Sequence, residues 1–126
     1  MAKLDGLIRI QKHRVDEKQK ILARLYREQE EYERQKQDKT DQIAREKRVA
    51  ESMANDVLIQ LSFSKFRAAA NDAIEKFNDK IEKVKTRITL AQDDIRVAFE
   101  DLKKTEIVDR TRKAKERKER EKKRNG

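Results

Sequence analysis

Residues 70–102 read ANDAIEKFNDKIEKVKTRITLAQDDIRVAFEDL. Apolar side chains fall at Ala70, Ile74, Phe77, Ile81, Val84, Ile88, Ala91, Ile95, Ala98 and Leu102, at intervals that alternate 4 and 3 without a miss. A 3.5-residue period keeps one stripe of a helix turned toward a neighbouring helix, so this stretch is built to lie along another one. The positions between are Asp, Glu, Lys, Arg, Asn, Gln and Thr in the main, which suit water.

The first half of the chain repeats the pattern less strictly. Its register runs Leu4, Ile8, Gln11, Val15, Lys18, Leu22, Leu25, Gln29, Tyr32, Lys36, Lys39, Ile43, Glu46, Ala50, Met53 and Val57. Six of these sixteen positions are polar, and Ile21, Ala44, Val49 and Ala54 widen the face, as in a helix that packs loosely. Extending this register forward does not meet the second stripe in phase. Such a slip marks either a stutter in one rod or a turn.

Composition favours helices. Of 126 residues 47% are charged, Pro, Cys and Trp are absent, and the two glycines stand near the ends. Sheets and turn-rich folds need punctuation that is missing here. The best breakers lie in Asn55-Asp-Val-Leu-Ile-Gln-Leu-Ser-Phe-Ser64, where Asn55 suits a helix end and Ser62 or Ser64 an N-cap. The expected fold is all-α: a helix over about 4–55, a turn within 55–64, a helix over 64–110 and a basic helical tail over 111–126. The two long helices form an antiparallel coiled-coil hairpin, each arm about 75 Å long at 1.5 Å per residue. Centring it on Gln60 sets Leu22 opposite Ala98, Leu25 opposite Ile95, Tyr32 opposite Ile88, Ile43 opposite Phe77 and Ala50 opposite Ala70. Ile74, Ile81, Val84 and Leu102 complete the expected seam. A parallel homodimer of long rods is the rival architecture.

The net charge of +9 is uneven. Residues 111–126 carry nine basic and three acidic side chains, so two-thirds of the excess sits there. Glu116–Arg120 and Glu119–Lys123 are Glu-first i,i+4 pairs that support an exposed helix. The tail reads as a solvated helix, as a surface for an acidic protein or, less favourably, as one for nucleic acid or anionic lipid. Readers of nucleic acid interleave aromatics with basic residues, and this tail has none, so no specific nucleic-acid partner is expected.

Catalytic chemistry finds little material. One histidine (His13) and no cysteine rule out a zinc site of the usual ligands and the common nucleophile pairs. No glycine-rich phosphate loop exists, and a coiled coil lacks the cleft that would shift a carboxylate pKa. The expectation is a non-enzyme without cofactor or metal. No apolar run reaches membrane-spanning length and no secretory signal opens the chain, so the cytoplasm is the expected compartment. The apolar cluster Val57, Leu58, Ile59, Leu61, Phe63 and Phe66 either closes the end of the hairpin or presents a binding patch.

Three stretches carry a resemblance to a known family. They are the opening Met1-Ala-Lys-Leu-Asp-Gly-Leu-Ile-Arg-Ile10 with Val15-Asp-Glu-Lys18, the segment Phe63-Ser-Lys-Phe66 with Ala70, Ala73, Ile74 and Phe77, and Ala98-Phe-Glu-Asp-Leu-Lys-Lys-Thr-Glu106 before the Arg/Lys/Glu tail. In these the chain resembles the FliJ family of flagellar export proteins and the related YscO-like stalk proteins of injectisomes. The resemblance implies a hairpin stalk whose paired termini enter the hexameric export ATPase and whose patch nearer the turn touches the membrane export gate, with a further role in escorting export chaperones. It implies recruitment to the inner face of the cell membrane through partners alone. The gate-contact patch would comprise Phe63, Phe66, Ala70, Ala73 and Phe77. The ATPase-contact end would comprise Leu4, Ile8, Arg112, Lys113, Lys115 and Arg117. A homodimeric coiled-coil scaffold or secretion chaperone, and less favourably a basic nucleic-acid-binding helix, are the competing functions.

Overall fold

The computed structural model describes residues 2–126, with side chains described from Leu4 onward. Two α-helices, α1 (Ala2–Ser52) and α2 (Val57–Asn125), pack against each other, and no strand occurs among the described residues. The basic tail belongs to α2. Charged residues between most of its apolar positions let so long a helix remain solvated on its outer faces.

The break between the helices differs from the sequence expectation. It spans residues 53–56, so residues 57–64 are helical rather than part of the turn. Asp56 decides this. Its carboxylate accepts hydrogen bonds from the Leu58 amide at 3.0 Å and the Ile59 amide at 3.2 Å, and its carbonyl accepts the first helical bond from Gln60 at 3.1 Å. That is a complete N-cap, and it comes before Ser62 or Ser64 can serve as one. Gln60 is not the centre of the turn. Its amide Nε2 donates to the carbonyls of Ala50 at 2.7 Å and Met53 at 3.2 Å. Helix α1 ends without a glycine, and no residue among those described has positive φ, so side-chain donors join the Met53 amide, which donates to the Ala50 carbonyl at 3.2 Å, in satisfying its last carbonyls. Ser52 Oγ supplies another, donating to Val49 at 2.7 Å.

Packing divides the chain into two compact units, each built from a segment of both helices. The first comprises Met1–Ala23 with Thr89–Gly126. Its core is Val15, Ala98 and Leu102, with Ile8 packed on them and Ala91 also buried. The second comprises Arg24–Ile88. It buries Ala50, Ala70, Ile81, Ile88 and, completely, Val84. The Tyr32 and Phe77 rings meet with centroids 6.5 Å apart, and Glu28 pairs with Arg87 at 3.6 Å.

These contacts correct the expected register. Phe77 meets Tyr32 rather than Ile43, and Ala98 clusters with Val15 rather than Leu22. With the earlier turn, these two α2 residues meet earlier positions of α1. Of the expected seam, Ile81, Val84, Ile88 and Leu102 are buried, whereas Leu22, Leu25, Tyr32, Ile43, Ile74 and Ile95 are half-buried. A seam between two helices leaves one edge of each side chain open, and residues at the wider edges keep part of their surface in water.

Two substitutions test the helix ends. Asp56→Ala removes the N-cap and should cost about 1 kcal/mol of unfolding free energy in urea titration. Gly6 lies within α1, and a Cβ added there would meet nothing within 4 Å. Gly6→Ala should therefore stabilise the fold, by up to ~1 kcal/mol, because it removes backbone entropy from the unfolded chain without a clash.

Candidate functional site

Two surfaces, one in each unit, gather the residues singled out in the sequence. In the second unit, the first turns of α2 expose apolar side chains that have no cover. Val57 is 77% exposed and Leu58 76%, and Val49, Met53 and Leu61 stand about half-exposed. Of the cluster, Val57, Leu58 and Leu61 thus stay open, while Ile59, Phe63 and Phe66 are half-buried. Beside it runs a shallow groove of about 400 Å³ lined by Glu46, Val49, Ala50, Ile59, Ser62, Phe63 and Phe66. Spacing by three places Phe63 and Phe66 on one helical face, so both rings edge this groove. The Arg67 guanidinium sits 5.7 Å from the centre of the Phe63 ring, a cation–π contact that holds that aromatic at the surface.

The other members of the expected gate-contact patch separate from this pair. Ala70 is only 5% exposed, because it lies on the seam, and it offers no surface to a partner. Ala73 and Phe77 are half-buried. Phe77 is engaged by Tyr32, and Lys80 Nζ stands 5.6 Å from the Phe77 ring and 5.5 Å from the Tyr32 ring. Val49 from α1 and Met53 from the break that follows it join the exposed surface. The sequence marked both only as part of the α1 face, and their exposure follows from the early end of that helix.

The first unit holds the expected ATPase-contact residues. Leu4 and Ile8 are half-buried, and Ile8 packs on the Val15–Ala98–Leu102 core. Arg112, Lys113, Lys115 and Arg117 are exposed along α2. Lys113 and Arg117 share a shallow groove with Glu116, Arg120, Glu121 and Arg124, so the cationic surface is interleaved with carboxylates. Lys113 is also tied inward, with its Nζ 3.0 Å from Asp109 and 3.3 Å from Asp5. The hydrogen bond to Asp109, then the one to Asp5, raises the Lys113 pKa above the ordinary lysine value. A raised lysine pKa contributes stability that is fully present below the unfolded value and is lost only as pH climbs through the folded one. Neutral pH therefore leaves this contribution of Lys113 in place.

Asp109 is a residue that the stripe did not predict. It is 6% exposed and continues the spacing from Leu102 through Thr105, so a carboxylate occupies a seam position. Its Oδ1 and the Oε1 of Gln11 are both buried without a hydrogen-bond partner. A buried carboxylate beside a single lysine stabilises little against an apolar pair, but it strongly disfavours loss of the lysine alone. The spacing was the available signal. A polar residue at the next heptad position reads as the end of a stripe unless its partner is known.

Among the described residues no group of His, Cys, Asp or Glu side chains could hold a metal ion, and no helix is long and apolar enough to cross a membrane. Comparison with known proteins brings no match, whether to a family model, a curated protein or a solved structure.

The Asp109–Lys113 pair sets a prediction. Lys113→Met should lower the urea midpoint by stranding the Asp109 carboxylate. Adding Asp109→Leu should restore the midpoint at least to that of the parent chain. A midpoint unmoved by Lys113→Met would show that the pair carries no stability.

Proposed function

We propose that the chain is an antiparallel coiled-coil hairpin of the FliJ type, a non-catalytic stalk of a type III export apparatus. Within the first unit, early α1 meets late α2 at Asp5–Lys113, and Val15 meets Ala98 and Leu102. Within the second, Glu28 meets Arg87 and the end of α1 meets Gln60. Both sets of contacts support antiparallel pairing.

The observation that carries the functional reading is the cationic end of α2. The helix continues to Asn125, well past the last apolar core residue Leu102, with Arg112, Lys115 and Arg117 exposed on it. A helical, multiply charged surface of this kind suits an acidic rim such as the mouth of an oligomeric ATPase, where charge complementarity speeds encounter and fixes register. Leu4 and Ile8 add apolar contact at the same end. The Phe63–Phe66 groove with exposed Val57, Leu58 and Leu61 is the surface offered to the membrane export gate. Export chaperones are a further class of client. On this reading the protein works in the cytoplasm and reaches the inner face of the membrane through its partners.

Hydrolysis by the cognate export ATPase, measured with and without the chain, tests this. Stimulation is expected from the parent chain. Reversing Arg112, Lys115 and Arg117 to Glu should weaken the half-maximal concentration by about tenfold or more, since exposed ion pairs contribute 0.2–1 kcal/mol each and reversal adds repulsion. Leu4→Asp with Ile8→Asp should weaken it similarly. Unchanged stimulation in both variants would overturn the contact.

A further inference from the structure

Beyond the seam residue Leu102, α2 sorts its cations by type. At about 100° per residue, Lys104, Ile107, Val108, Lys115, Lys118 and Lys122 fall within one arc of about 100°, on the side away from Leu102 and Asp109. All six are exposed, Ile107 at 53% and Val108 at 47%. The five arginines of the same stretch, Arg110, Arg112, Arg117, Arg120 and Arg124, all fall outside the arc. No carboxylate between Leu102 and Asn125 lies inside it. Asp101 and Glu119 stand beyond one edge and Glu121 beyond the other.

None of the four lysines makes an ion pair among the described residues, whereas Lys113 on the seam side is held by Asp109 and Asp5. A guanidinium fork suits a fixed bidentate partner, but an ammonium on a flexible stem suits diffuse negative charge. The stem can also lie along apolar surface while its head reaches outward. Ile107 and Val108 add apolar surface to the same arc, which the phosphates of a duplex cannot use, and the strip has no aromatic on which bases could stack. The headgroup layer of an anionic bilayer offers both charge and an apolar boundary. From Lys104 to Lys122 the strip runs about 27 Å along one side of one helix, which suits a flat surface.

We propose that this lysine strip lies on an anionic lipid bilayer, with α2 in the plane of the surface. Ile107 and Val108 enter the boundary between headgroups and acyl chains, and the four lysines reach anionic headgroups. Helix α1 packs on the Leu102 and Asp109 side and leaves the strip clear. Two apolar side chains bury little area, so the attraction is mainly electrostatic, reversible and weakened by salt. The proposal goes beyond the stalk reading, in which partners alone bring the chain to the membrane, and does not rest on it.

Co-sedimentation of the full chain with vesicles at ~0.1 M salt tests the proposal, using phosphatidylcholine alone or with about one-third phosphatidylserine. Binding is expected to the anionic vesicles only. Lys104→Gln, Lys118→Gln and Lys122→Gln together should weaken it about tenfold or more. Arg110→Gln, Arg120→Gln and Arg124→Gln together remove the same charge from outside the arc, and should weaken it no more than about threefold, because screening sets in within ~10 Å. Lys115, assigned above to the ATPase contact, is unaltered in both. All six altered side chains are exposed, so both variants should keep the parent's helix content by circular dichroism. The chain has no tryptophan, so Ile107→Trp supplies a single reporter, whose emission should shift to the blue on anionic vesicles. Equal weakening by the two triple variants, an unshifted emission, or retention on a DNA duplex without vesicle binding overturns the proposal.

Discussion

One constraint governs this molecule: the regular apolar stripe of α2 must be covered, and α1 covers it with an imperfect stripe of its own. On α2 the buried apolar residues are Ala70, Ile81, Val84, Ile88, Ala91, Ala98 and Leu102, whereas on α1 only Val15 and Ala50 reach the same burial among the described residues. Four of these nine are alanines. Alanine lets helices approach closely, but each contributes little apolar area, so hydrophobic stabilisation falls on Val15, Ile81, Val84, Ile88 and Leu102. A seam this thin cannot waste what its ends supply. The Asp56 cap, the Gln60 side-chain bonds to α1 carbonyls and the Asp109–Lys113–Asp5 cluster therefore matter more here than they would in a globular domain.

Much of this was legible in the sequence. The 4/3 spacing over 70–102 identified the buried face of α2 residue by residue, because a heptad repeat encodes one geometric fact many times over. The location of the turn was not legible to the same degree. Asp56, Ser62 and Ser64 are all good N-cap residues by type, and sequence alone does not rank them when each precedes an apolar run. Asp56 takes the role as the earliest, and the register shift that sends Phe77 to Tyr32 follows from it. Asp109 escaped notice for a related reason. A charge at a seam position becomes interpretable only when Lys113 and Asp5 are seen beside it.

The surfaces show the same division. Aromatic spacing singled out Phe63 and Phe66, and they do share a groove, but Ala70 lies on the seam and is buried. The exposed turn cluster and the helical cationic end of α2 are what a bridging protein needs, one surface apolar and one charged. Both are open surfaces rather than enclosed cavities. The proposal of a stalk draws on this excess of presented surface over core.

The stalk proposal depends on α1 folding back along α2 within one chain. The chain has no cysteine, so a pair of spin labels can be placed at positions 5 and 113 without background. Electron–electron distance measurement, with labelled chain diluted into excess unlabelled chain, then reads the intrachain separation alone. The account predicts a single short distance, below about 25 Å once label linkers are added to the width of two packed helices. The same two positions on one uninterrupted rod would lie about 160 Å apart at 1.5 Å per residue. Absence of the short distance in the diluted sample would contradict the antiparallel hairpin.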